Sequence, residues 1–238
     1  MLIDSFNQYV QKYDLNDPQI KLKYNHSFRV MEKSSLMASQ LGFSKEDIEL
    51  AKTIGLLHDI GRFEQLKVYH TYDDSKSIDH AAYGVEQLFK KGEIRKFVLD
   101  PKDDAIIEAA IKNHNKYRIT GVTDERTMMH AKLIRDVDKL DILYNVAYLK
   151  GIKTNLCKEP VSKKVLESIR NHQSVRKSDM KNENDFICCK MAFVFDINYD
   201  VCLLECRKYL MKWMDDIEQK DLLQEVYQIV MNDIEKRV

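Results

Sequence analysis

The chain of 238 residues is long enough for one large domain or two small ones and can bury a sizeable core. Its 38 Lys and Arg are matched by 38 Asp and Glu, a balance that argues against a dedicated nucleic-acid or acidic-membrane binder, which carries a basic excess. Seven glycines and three prolines are too few for the turns of an all-β sandwich or barrel and favour helices, while a hydrophobic content of 44% excludes disorder of the whole chain.

Taken in order, the start M-L-I-D-S-F-N-Q-Y-V has neither the basic residues nor the apolar stretch of a secretory signal. No later run approaches the roughly 18 apolar residues that cross a bilayer. Asp17-Pro18 reads as an N-cap followed by Pro at the first helical position, opening a helix that stops near Gly42. Ser44 and Asp47 resemble a capping box with Asp in place of Glu, starting a helix that runs toward His58. Gln65 to Ile78 reads as a polar connector, with Lys67, Tyr69, His70 and Tyr72 placed to select a substrate. Asp79 opens the next helix, closed at Gly92, and Pro101 introduces another that reaches His114. Thr123 caps a long helix that carries Arg135 to Tyr148. Beyond Pro160 helical patterns resume, interrupted by a polar stretch from Asn171 to Asp185, and the chain closes with two helices near 199–216 and 218–236. Met191 to Ile197 suits a short strand or a buried helix, because its period does not decide. The five cysteines contain no C-x-x-C pair and read as reduced, packed thiols of a cytoplasmic protein. The expected architecture is all-α: a core domain over residues 1–150 and a helical C-terminal extension, 151–238, packed on it, with the boundary near Gly151.

Several polar residues fall inside apolar stripes. His26 lies four residues after Leu22 and four before Val30; His58, with Asp59 beside it, ends the run I-G-L-L. His80 begins a face that continues through Gly84 and Leu88, His114 ends the stripe of Ile107, Ala110 and Ile111, and Asp138 lies midway between Ile134 and Ile142. Such positions face the interior of a helical bundle. Burying a lone carboxylate costs on the order of several kcal/mol, so Asp59 and Asp138 each need a basic side chain, backbone donors or a metal ion. Imidazoles pointing inward from other helices favour the ion. Neutral His nitrogen together with carboxylate oxygen suits a borderline divalent metal such as Mn, Fe, Co, Ni or Zn.

His26, His58-Asp59 and Asp138 resemble the H…HD…D ligand set of the HD-domain metal-dependent phosphohydrolase superfamily. L-L-H-D-I-G-R is similar to its HDIG signature, and R-D-V-D-K-L-D to its last metal-binding helix. The resemblance covers roughly residues 20 to 150. It implies an all-α HD-domain helical bundle around a divalent ion (Mn, Fe, Co, Ni, Zn or Mg) held by His26, His58, Asp59 and Asp138. It also implies hydrolysis of a phosphate ester or anhydride by water bound to that ion. Two-ion members place extra histidines between the HD pair and the last Asp, and His80 and His114 occupy comparable places, with Asp59 as a bridge. Phosphate binding or general acid catalysis is the rival role for the same two histidines. Arg62, three residues after Asp59, suits a phosphate clamp because guanidinium matches phosphate oxygens in a fork; some one-metal nucleotidases carry an acid at that position, and Glu64 is a weaker substitute for it. Lys139 and Asp141 flank Asp138, and Asp141 is placed to orient a ligand or a water.

The expected partner is a small phosphorylated substrate, a nucleotide first among candidates, with no dedicated nucleic-acid or membrane partner; a homodimer is compatible with the sequence. The G-Y-P signature of cyclic-dinucleotide phosphodiesterases and the H-D-x-x-E-D run of alarmone hydrolases are absent, and a di-iron oxygenase is a more distant option. The alternative from another class is a non-catalytic sensor of metal or nucleotide on the same fold.

Overall fold

The computed structural model describes residues 1–149, 156–218 and 220–238, and every regular element among them is helical. They divide into two compact units, residues 1–138 and 139–238; the expected boundary near Gly151 lies outside the described residues.

The first unit contains α1 (Leu2–Val10), α2 (Pro18–Gln40), α3 (Lys45–Leu57), α4 (Gly61–Tyr69), α5 (His80–Val85), α6 (Asp104–Asn113) and the first part of α7 (Glu125–Tyr144). The caps follow from the sequence. Asp17 accepts the Gln19 amide with Pro18 in the first turn, Ser44 accepts the Asp47 amide, and Asp79 accepts the amides of Ala81 and Ala82. Gly42, at φ +73°, lets the chain turn from α2 into α3. These two helices press together at Gly55, where a Cβ would lie 2.8 Å from Ser34 Oγ and 2.9 Å from the Val30 carbonyl oxygen. Val30, Ile54, Leu57, Ile107 and Ile111 are fully buried in the core so formed.

Three local expectations change. Asp47 does not reach back to the Ser44 amide as a capping-box carboxylate would. It accepts from the Ser44 hydroxyl at 2.7 Å, while its other oxygen takes Arg126 Nε at 2.7 Å and His130 Nε2 at 3.1 Å, so a cap has become a staple between α3 and α7. Asp124, rather than Thr123, caps α7, accepting the Thr127 amide at 2.8 Å. The connector is shorter than expected, since Gln65 to Tyr69 belong to α4 and Gln65 is fully buried.

The second unit continues α7 and adds α8 (Lys163–Arg170), α9 (Glu183–Met191), α10 (Asp200–Asp216) and α11 (Gln224–Arg237). The ambiguous run after Met191 is helical, a 3-10 turn over Ala192–Asp196. Asn182 and Asp185 form a reciprocal capping box at the start of α9, so the polar stretch ends in a helix start. Cys188, Cys202 and Cys206 are fully buried with Leu203, Leu210 and Trp213, and burial pushes the Cys188 thiol up to about 12. Among the described residues no helix is long and apolar enough to cross a membrane.

Candidate metal centre

One device places two of the histidines. His58 and His114 each follow the last residue of a helix, α3 and α6, and fold the ring back so that Nδ1 donates to the carbonyl three residues earlier, Gly55 at 2.8 Å and Ile111 at 2.7 Å. Those carbonyls are among the last four of a helix, which have no partner within it. His80 opens α5 and donates Nδ1 to the Asp74 carboxylate at 2.7 Å. A proton fixed on Nδ1 leaves the Nε2 lone pair as the ligating electron pair. His26 comes from the middle of α2, buried with Val30, although Leu22 on the same stripe is exposed.

The Nε2 atoms meet in two pairs, His26 with His58 at 3.2 Å and His80 with His114 at 3.0 Å. Asp59, next to His58 in the chain, lies between the pairs and divides its oxygens. Oδ2 is 3.5 Å from His26 Nε2 and 3.7 Å from His58 Nε2; Oδ1 is 3.2 Å from His80 Nε2 and 3.5 Å from His114 Nε2. Asp138 closes the first pair, with Oδ1 at 3.2 Å from His26 and 3.7 Å from His58. Its side chain keeps 20% of its exposure, so the centre opens to solvent on that side.

A divalent cation fits this donor set. With protons on Nδ1, the imidazoles of His58, His80 and His114 turn lone pairs toward lone pairs and toward a carboxylate, and Asp59 Oδ1 is buried without a hydrogen-bond partner. Acceptors so crowded are unfavourable unless a cation lies among them. The separations of 3.2–3.7 Å are those of neighbouring ligands about an ion with bonds of roughly 2.1 Å. Electrostatics agree: burial alone would raise the Asp59 carboxyl, but the Lys23 ammonium and His58 hold it well below the usual carboxylate range. Burial likewise works against ionised Asp138, and the neighbouring His26 and His58 hold it low. Burial drives the His114 imidazole down to about 4, outweighing the pull of the neighbouring Asp59 carboxylate, which keeps it a neutral ligand near pH 7.

The remaining expected residues are placed as follows. Arg62 Nη1 donates to Gln65 Oε1 at 2.8 Å, to the Tyr72 carbonyl at 2.7 Å and to Asp74 at 2.9 Å, and Nε lies 3.5 Å from Asp59 Oδ1. Its guanidinium therefore binds the connector as well as lending positive charge to Asp59. Glu64 accepts from the Tyr13 hydroxyl at 3.0 Å, and Lys67 lies over the Tyr13 ring. Tyr72 crosses to α2, donating to the Gln19 carbonyl at 2.7 Å, with Lys23 and Arg62 over its ring. Tyr69 and His70 end α4, His70 in the left-handed conformation at φ 55°. In the second unit Lys139 pairs with Asp196 at 2.8 Å, and Asp141 is buried.

Sequence reasoning missed three contributors. Lys23 Nζ donates to Asp59 Oδ2 at 2.7 Å; its spacing of three from His26 puts both on one helix face, a signal that was there to be used. Asp74 sits in a short 3-10 turn with no periodicity to mark it. Arg135, buried inside α7, donates to the carbonyls of Asn113 at 2.9 Å and Lys116 at 2.5 Å and fixes the chain on both sides of His114.

Compared with known proteins, residues 24–146, more than half of the chain and the whole span from His26 to Asp138, match the HD domain family model. No curated protein and no solved structure matches the chain.

Proposed function

Because the chain belongs to the HD-domain family, a family of metal-dependent phosphohydrolases, we propose that it hydrolyses a phosphate ester or anhydride of a small phosphorylated metabolite, a nucleotide first among candidates. The observation that carries this reading is the division of Asp59, one oxygen toward the His26–His58 pair and the other toward the His80–His114 pair. It supports two adjoining metal positions, the first with His26, His58 and Asp59 and with Asp138 against both imidazoles, the second with Asp59, His80 and His114. A divalent ion bound there lowers the pKa of coordinated water toward neutrality and polarises a phosphoryl oxygen.

The chain's own residues supply the rest. Asp59 and Asp138 bring the negative charge that retains cations, and the imidazoles bring nitrogen donors, three of which, His58, His80 and His114, have their orientation fixed in advance by Nδ1 hydrogen bonds. Lys23, on Asp59 Oδ2, and Tyr72, under the Lys23 ammonium, put a positive charge and an aromatic ring beside the centre, where a phosphate would meet them.

Anomalous scattering from crystals grown with Mn2+, combined with turnover of mono-, di- and cyclic nucleotides, tests the reading. Two anomalous peaks beside Asp59 and phosphate release that a chelator abolishes are expected. Tight nucleotide binding with no turnover across the panel would make the protein a sensor, and a site that takes up no metal would overturn the proposal altogether.

A further inference from the structure

Asp74 lies in the connector between α4 and α5, within the 3-10 turn Asp74–Lys76. Its carboxylate accepts His80 Nδ1 at 2.7 and 2.9 Å, Arg62 Nη1 at 2.9 Å, Gln65 Nε2 at 2.9 Å and Asn115 Nδ2 at 3.2 Å. These donors come from α4, from the first residue of α5 and from the residue after His114, so a single carboxylate gathers the segments around His80. Buried Gln65 also donates to Ser77 Oγ at 2.8 Å and to the Ile78 carbonyl at 3.0 Å, which fixes the connector where it enters α5.

The histidines differ in what holds them. His58 and His114 lean on backbone carbonyls of their own helices, supports that no side-chain substitution removes. His80 leans on a side chain delivered by the connector. A carboxylate behind an imidazole fixes the tautomer and ring orientation and makes the opposite nitrogen a stronger donor to metal.

We propose that Asp74 is a positioning residue for the second metal position, holding His80 with its Nε2 lone pair toward Asp59 Oδ1 and His114, so that occupancy of that position depends on the folding of the connector. The inference rests on the two-position reading above. Its effect is one-sided: Asp74 accepts from His80, Arg62, Gln65 and Asn115, whereas the first position draws on His26, His58 and Asp138. Arg62, donating to Asp74 Oδ1 at 2.9 Å, accordingly helps to hold that carboxylate in place.

The test is calorimetric titration of the metal-stripped full chain with Mn2+, with electron paramagnetic resonance reporting coupled ion pairs, for the wild type, Asp74→Asn and His80→Ala. Thermal melts of the metal-free proteins check folding. Asp74→Asn keeps the shape and removes the charge. The wild type is expected to bind two ions and show the spectrum of a coupled pair. Asp74→Asn is expected to hold the first ion with affinity within about threefold of wild type and to bind the second about 10–100-fold more weakly, and His80→Ala to lose the second ion and the coupling. A further readout needs no metal: the downfield imidazole N–H resonance of His80 expected in the wild type should shift in Asp74→Asn. Equal weakening of both ions, or two unchanged ions in Asp74→Asn, would overturn the role of Asp74 while leaving the phosphohydrolase reading intact. One ion in the wild type and in His80→Ala alike would overturn the second position and this inference with it, and a wild type that binds none would overturn the reading of the site itself.

Discussion

Lys23 and Asp59 touch, yet their removal has opposite consequences for a cation. The Lys23 ammonium occupies the Asp59 oxygen that faces His26 and His58, so an ion entering there must displace a like charge. Lys23→Met is expected to tighten Mn2+ binding by about tenfold, the equivalent of roughly 1.4 kcal/mol and near the low end of a hydrogen bond to a charged group; titration calorimetry reads it, and weaker binding would mean that Lys23 supports Asp59 rather than competes for it. Asp59→Ala removes an oxygen from both positions and is expected to weaken metal affinity by more than the roughly 10–100-fold that a lost outer partner costs, with turnover at background and helical circular dichroism retained. At this scale the sequence was readable wherever chemistry and period coincide. His26, His58, Asp59, His80, His114 and Asp138 stand out because polar residues interrupt apolar stripes. Asp74 and Arg135 are silent in the sequence because an aspartate in a turn and an arginine in a helix look like ordinary surface residues until the fold brings their partners to them.

Helix ends, more than helix interiors, build the centre. The stop of α3, the stop of α6 and the start of α5 each present a histidine, and caps are among the better sequence signals, which is why Asp17, Ser44 and Asp79 are legible. The connector is less so: Gln65 looks polar and loop-like, and its burial follows from tertiary hydrogen bonds that no local pattern records. α4 and α5 meet at Gly61, where an added Cβ would run into the His80 carbonyl oxygen. Gly61→Ala is therefore expected to lower stability by about 1–3 kcal/mol through overpacking and to displace His80; a melt and a Mn2+ titration check both. The staple at Asp47 predicts a pH response. Burial opposes its ionisation, but hydrogen bonds from Ser44, His130 and Arg126 bring its carboxyl down to about 2 from an ordinary 3.8. A carboxyl lowered on folding contributes stability above its unfolded pKa and loses it as pH falls toward its folded value. The advantage of wild type over Asp47→Asn in melting temperature is thus expected to be full near pH 6 and to shrink steadily below about pH 4; an advantage constant down to pH 3 would show that the carboxylate charge is not what joins α3 to α7.

Two units share the chain, and α7 runs through the division between them, with Asp138 the last residue of the first unit. Each has its own buried apolar set, Val30, Ile54, Ile107 and Ile111 in the first, Leu203, Leu210, Trp213 and Val230 in the second, so opening of one need not cost what opening of the other does. Composition could not reveal this division, because both parts are helical and evenly charged. The donor atoms facing a cation all belong to residues 1–138. Metal binding to the folded state alone stabilises by about 2.7 kcal/mol at 100 times Kd, a rise of roughly 5–10 °C in the melting temperature of a unit this size. Mn2+ is therefore expected to raise the hydrogen-exchange protection of α2, α3 and α6 and to leave α10 and α11 unchanged, with the gain fading along α7 beyond Asp138. Chelation should reverse the effect. Equal gains in α10 and α11 would mean that the chain unfolds as one cooperative body, and no gain in either part would mean that the imidazoles and carboxylates around Asp59 do not hold an ion.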